Sequence, residues 1–271
     1  TSMRRERRES PALIESRAYG VRNIPLLRPL GWLARGWQDL MRCPLPGLLH
    51  GLALAIFGGA LIAVAHHRFW LLSGAFTGFL LVAPILATGL YAVSRALEKG
   101  QRADLGVAID AWKPDRVQGG RLMVFGLLLA FAGTGWVLTS ASLITGFSPA
   151  PVRTPLDFLR VVVLNEHTPL FEVWLAMGAL LAAPVYASSV VAMPLMMDRP
   201  VGVLAAVLTS WRVVQAHPLP MALWAALLMG LTVLGMATAL AGLVVVAPWL
   251  AHASWHAYRD LVSTAAFDER G

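Results

Sequence analysis

Cysteine is almost missing from this chain: Cys43 is the one cysteine among 271 residues, which excludes an internal disulfide. Its neighbour Pro44 and the apolar run that follows make it a small apolar residue rather than a reactive thiol. Charge is scarce as well. Only 14% of the residues are charged and 57% are hydrophobic, where a soluble domain carries about 25% and about 45–50%. Apart from Glu172, no Asp, Glu, Lys or Arg interrupts Pro46 to Ala65, Phe69 to Ser94, Leu122 to Ser148, Phe171 to Met197 or Met221 to Ala257. A helix needs about 20 apolar residues to cross a hydrocarbon core of roughly 30 Å. The first four runs supply one span each and the fifth supplies two. A soluble fold is excluded, and the expected fold class is an all-α, polytopic membrane helical bundle of six transmembrane helices.

Other absences bear on function. Proton-driven carriers usually hold an ionisable side chain at mid-depth, but Arg95, Glu172, Arg259 and Asp260 all stand at span ends. No nucleophile–base set, phosphate-binding loop or paired intramembrane carboxylate is legible, so no enzyme is expected. The first apolar run begins too late for a cleavable leader, so span one is expected to stay in the mature protein.

The basic residues that are present lie unevenly. Arg4, Arg5, Arg7, Arg8, Arg17, Arg22, Arg28, Arg35 and Arg42 precede span one. Lys99, Arg102, Lys113, Arg116 and Arg121 follow span two, whereas Arg68 stands alone after span one. This positive-inside bias predicts a bacterial inner-membrane protein with both termini cytoplasmic. It assigns the net charge of +7 to topology and phospholipid headgroups, with no nucleic-acid partner.

The pattern also repeats. An Ala-Pro pair sits inside an apolar run at Pro84, Pro184 and Pro248. Trp37 and Trp211 each precede a Pro-Leu-Pro by the same interval, at Cys43-Pro44-Leu45-Pro46 and His217-Pro218-Leu219-Pro220. The expected organisation is a flexible Arg-rich arm over 1–24, repeat units over 25–98, 99–197 and 198–262, and a tail over 263–271. Each unit is an interfacial amphipathic helix followed by a two-span hairpin. Trp32, Trp37, Trp112, Trp211 and Trp255 are the expected interfacial anchors. Asp104 and Asp198 are expected helix caps, the latter with Pro200 in the first turn. Leu30, Leu33, Trp37 and Leu40 form the expected apolar face of the first interfacial helix, with Arg35, Asp39 and Arg42 on its other faces. The three prolines should bend their helices toward a common centre. Leu156 to Leu164 is expected to form a short external surface helix.

Among possible ligating residues, His252 and His256 are one helical turn apart and could share a metal. Paired with His50 they could serve a haem. The competing reading places them at the inner interface, bonded to backbone or lipid beside Trp255 and Tyr258. Met193, Met196 and Met197 suit a soft metal but suit core filling better. The cofactor is therefore unknown, with none as the leading expectation and haem or metal as the minority one.

Val21-Arg-Asn-Ile-Pro25, Gly31-Trp32-Leu-Ala-Arg-Gly-Trp37, Pro84 with Gly89-Leu-Tyr91, Met193-Pro-Leu195 with Asp198-Arg199, and His252-Ala-Ser-Trp-His-Ala-Tyr-Arg-Asp-Leu261 form an ordered series. In that order they resemble a bacterial family of six-span predicted integral membrane proteins of unknown function, over nearly the whole chain from about residue 20. Some members carry a label relating them to cytochrome c oxidase subunit I, but this chain lacks the histidines such a catalytic subunit needs. What the resemblance implies is company with respiratory or photosynthetic complexes. The expected function is a non-catalytic accessory or assembly subunit packed against another membrane protein. A small-solute or lipid permease and a haem or metal carrier are the alternatives.

Overall fold

The computed structural model describes residues 9–75, 87–111 and 117–264, and it is mostly helical. Pro84 and Trp112 lie outside the described residues. The helices used below are α1 (Pro11–Arg17), α2 (Arg28–Arg42), α3 (Pro44–Ala65), α4 (Thr88–Glu98), α5 (Leu105–Asp110) and α6 (Val117–Phe147). They continue with α7 (Pro155–Asp157, running into a π-helical turn Phe158–Val163), α8 (Leu170–Ser189), α9 (Ala192–Asp198), α10 (Val203–Ala216), α11 (Pro218–Ala237) and α12 (Leu243–Leu261). Among the described residues, four stretches are long and apolar enough to cross a membrane: Pro44–Ala65, Gly120–Phe147, Leu170–Asp198 and Pro218–Ala237.

Helix α12 is the axis of the fold. It buries Leu250, Ala251, His252, Ala253, Trp255, Ala257, Tyr258 and Leu261 against α2, α3 and α4. Two glycines permit this close packing. A Cβ on Gly36 of α2 would stand 2.6 Å from the backbone nitrogen of Ala253. A Cβ on Gly51 of α3 would overlap the carbonyl of Val244. That carbonyl lies four residues before Pro248, which has no N–H to bond it, so the glycine face covers the group that the proline frees.

The prolines do not all turn inward. Pro248 is buried on α3, but Pro184 lies inside α8 with an exposed side chain. The sharper break comes between α8 and α9. Pro194 cannot bond the carbonyl of Val190, and where the helix breaks at residues 190–191 the N–H of Val191 donates to Ser210 Oγ at 3.3 Å.

Helices α3 and α11 start alike. Cys43 and His217 occupy their N-cap positions at φ −138°, ψ 75° and φ −132°, ψ 64°, each followed by Pro-Leu-Pro. Asp104 caps α5 as expected, accepting from Val107 N–H at 3.1 Å. Asp198 does not cap α10, whose N-cap is Gly202; it ends α9 and is enclosed by cations, as described below.

The arm is not a free tail over residues 9–24. Helix α1 lies on α10, where Ser16 Oγ meets Thr209 Oγ1 at 2.9 Å and Glu15 accepts from Gly202 N–H at 3.0 Å. Gly20–Val21 (β1) then pairs antiparallel with Val262–Ser263 (β2), in the register Gly20↔Ser263 and Val21↔Val262. Arg212 donates to the carbonyls of Ser16 and Tyr19 at 2.7 and 3.0 Å. A charged donor and buried hydroxyls hold this segment together with the buried ring of Tyr19, whereas its arginine-rich composition read as a solvated tail.

A second, smaller core gathers Trp136, Ile144, Val152, Val162, Leu170 and Trp174. It docks the π-helical turn onto α6 and α8, with Trp174 Nε1 donating to Ser140 Oγ at 2.8 Å. Thr154 and Asp157 close a capping box at the start of α7, so the expected short helix is present.

Candidate functional site

The polar lower half of α12 organises one end of the molecule. Each polar side chain from His252 to Asp260 has a partner, most of them on other helices. His256 Nε2 lies 2.7 Å from Asp39 Oδ2. Trp255 Nε1 donates to Glu98 Oε2 at 2.8 Å, and Arg259 pairs with Glu98 Oε1 at 2.9 Å. Tyr258 donates to Asp198 Oδ2 at 2.6 Å. Asp260 receives Arg28 at 2.6 Å, Trp32 Nε1 at 2.7 Å and Arg35 at 3.3 Å.

The partners follow helical spacing. Arg28, Trp32, Arg35 and Asp39 make one stripe of α2, with Gly36 between them at the closest approach. The low numbers of α2 meet the high numbers of α12, so the two helices run antiparallel. On α4, Ser94 and Glu98 are one turn apart. The face of α2 that turns inward is therefore Pro29, Trp32, Gly36, Asp39 and Leu40. Leu30 and Trp37, expected on the apolar face, are 49% and 41% exposed.

At the centre, Ser94, Asp39 and His252 are buried. Ser94 Oγ lies 2.8 Å from Asp39 Oδ2 and 2.6 Å from His252 Nδ1. A carboxylate cannot donate, so the hydroxyl hydrogen goes to Asp39 and Ser94 Oγ accepts from His252 Nδ1–H. This is the reverse of a nucleophile–base pair, in which imidazole takes the hydroxyl proton. It leaves His252 Nε2 enclosed without a hydrogen-bond partner among the described residues, near Gly47 of α3, whose Cβ would stand 3.7 Å from it. Binding haem or metal at His252 or His256 would have to open this enclosed network. Among the described residues no group of three or more His, Cys, Asp or Glu is placed to hold a metal ion.

Asp198, with 3% of its side chain exposed, lies 2.9 Å from Arg95 and 3.3 Å from Arg199. Two guanidiniums and a tyrosine hydroxyl offset the desolvation of this carboxylate. Outside the apolar helices, the hydrogen bond to Asp260 holds the Arg28 guanidinium above its ordinary range.

The tryptophans divide. Trp32 and Trp255 are 0% and 1% exposed, so both indoles are enclosed by protein instead of facing a lipid surface. Trp32 packs edge-on to Trp224 at 5.3 Å. Trp37 is exposed beside Trp249 at 5.4 Å, and Trp211 is half-buried with its Nε1 on Ser188 Oγ at 2.9 Å. Met193 and Met196 are core residues at 0% exposure.

Sequence reasoning found His252 and His256 but missed Asp39, Ser94, Glu98 and Asp198. The signals were the i, i+4, i+7 series Trp32, Gly36, Asp39, and the Gly47-x-x-x-Gly51 pair that brings α3 onto α12.

A family model described as "Predicted integral membrane protein (DUF2189)" matches residues 71–198. No curated protein and no solved structure matches the chain. Of the resemblance expected from about residue 20 onward, the match to a predicted integral membrane protein family is found over 71–198, without the six-span count or the cytochrome c oxidase label. That stretch holds Ser94, Glu98 and Asp198, three of the groups that receive α12, and ends before α12 itself. With four helices of membrane-crossing length and composition, the chain is an integral membrane protein.

Proposed function

We propose that this protein is a non-catalytic, six-span protein of the bacterial inner membrane, with both termini cytoplasmic, that acts as an accessory or assembly subunit of a larger complex. Residues 69–94 and α12 would be the two crossings beyond the four apolar helices, and the matching starts of α3 and α11 support a repeat of hairpin units. One observation carries the functional reading: the polar groups of the closing motif are taken up by partners on α2, α4 and α9, while the long helices leave broad apolar faces outward. On α3, 11% of the most apolar stretch is buried, and Ile56, Phe57 and Val64 are 63%, 53% and 87% exposed. On α6, Leu127 and Phe131 are 68% and 82% exposed. Surfaces of this kind suit lipid and neighbouring membrane helices. Respiratory or photosynthetic redox complexes are the expected company, from the resemblance above.

The test is purification of the tagged protein in a mild detergent, with every co-purifying chain identified by mass spectrometry. Stoichiometric recovery of a membrane complex supports the reading. A homogeneous protein without partners, from membranes containing all candidate complexes, overturns it.

A further inference from the structure

Away from the α12 network, a cavity of about 220 Å³ opens between α4, α5, α6 and α9. Arg95, Arg102, Gln101 and Asp110 supply its polar rim, and Leu122 and Met197 are among its apolar walls. Its shape has a local cause. Gly100, at φ +66°, ends α4, and Gln101 N–H bonds back to the carbonyl of Ala96 at 2.9 Å. This glycine-terminated turn directs Gln101 and Arg102 across the mouth of the cavity.

Depth and charge together indicate the occupant. Leu122 lies in the first turn of the apolar stretch Gly120–Phe147, and Met197 is the penultimate residue of Leu170–Asp198. The cavity therefore sits at the level where two membrane-length helices end, which in a bilayer is the level of the headgroup phosphates. The surrounding field is positive. Arg95 and Arg199 share the single carboxylate of Asp198. Burial, and then Arg95, push the nearby Lys99 ammonium below its ordinary range. Arg102 is paired with Asp104 at 2.6 Å, but its side chain is 89% exposed, and such surface pairs hold weakly. Arg102 is free to exchange that carboxylate for a phosphate.

We infer that this cavity binds a singly charged phosphodiester, the headgroup of an anionic phospholipid such as phosphatidylglycerol, with Arg95 and Arg102 on the phosphate and the apolar walls against the glycerol and upper acyl chain. The site does not depend on the accessory-subunit reading, since lipid retention and partner retention are read separately.

The experiment is native mass spectrometry of the full chain in detergent, titrated with phosphatidylglycerol, with phosphatidylcholine, and with phosphatidylglycerol in excess inorganic phosphate. One phosphatidylglycerol should bind in preference to phosphatidylcholine. Arg102→Gln, at an exposed position that leaves the fold intact, should weaken it about fivefold. Ala92→Leu keeps every charge and fills the cavity; it should remove the preference. Displacement by inorganic phosphate assigns the same anion chemistry to a soluble source. Equal binding of the two lipids, or unchanged affinity in Arg102→Gln, overturns the site.

Discussion

His252 Nδ1 stands 2.6 Å from Ser94 Oγ, across 158 residues of chain. Because Ser94 gives its hydrogen to Asp39, the imidazole is fixed as the Nδ1–H tautomer. Ser94→Ala removes the acceptor for that N–H and one donor to the buried carboxylate. The expected loss is about 1–3 kcal/mol, the cost of leaving buried polar groups unpaired. Thermal unfolding in detergent measures it, and an unchanged midpoint would show that the three side chains are not coupled.

The contact of α3 with α12 predicts a contrast between two glycines. Gly51 lies on the Val244 carbonyl, and Gly59, two turns on, has nothing among the described residues within 4 Å of its Cβ position. Gly51→Ala must push the helices apart and should cost at least about 1–3 kcal/mol, the range for overpacking. Gly59→Ala replaces the least favourable ordinary helix residue at an open site and should be neutral or stabilising by about 0.5–1 kcal/mol. Equal effects from the two would mean that α3 does not pack by its Gly47–Gly51 face.

Arg212 predicts how firmly the amino-terminal segment is held. It donates to two carbonyls and to Ser16 Oγ, all from 16–19. Hydrogen bonds from a charged donor contribute about 1.5–3 kcal/mol. Arg212→Ala should therefore speed tryptic cleavage at Arg17 and Arg22 by about tenfold or more when opening is fast relative to cleavage. Cleavage as slow as in the unaltered chain would leave the β1–β2 pairing and the α1–α10 contacts as the sufficient restraint.

The apolar helices were legible in the sequence because crossing a membrane imposes one rule on composition and length. Four of the expected spans appear as helices that meet it. The rest of the fold follows pairwise geometry that no periodicity encodes. Asp39 reads as one charge on an amphipathic helix until α12 is laid against it. Asp198 reads as a cap until Arg95 arrives from α4. Trp32 and Trp255 read as interfacial anchors because an indole suits both an interface and a buried hydrogen bond to a carboxylate. The sequence separated His252 and His256 from the other histidines, but their partners come from residues more than 150 positions away, and only the packing of α2 and α4 identifies them.

The turn joining α11 to α12 offers a prediction whose sign depends on weighing two effects. Ala239 and Leu240 take φ values of +56° and +67°, the left-handed region that costs a residue with a Cβ about 1–2 kcal/mol. At Ala239 the side chain is exposed, so glycine relieves the strain and loses no packing. The added freedom of glycine in the unfolded chain returns about 0.4–1 kcal/mol, leaving Ala239→Gly a net gain of roughly 0.5–1 kcal/mol. Leu240 has the same backbone strain but is 6% exposed, and its Cδ1 would stand 2.8 Å from a Cβ on Gly58 of α3. Burying a leucine is worth about 1.5–3 kcal/mol, which exceeds the relief. Leu240→Gly should therefore destabilise the protein while its neighbour stabilises it. Paired melting curves of the two variants decide the point: a gain in both would mean that Leu240 does not hold the turn onto α3.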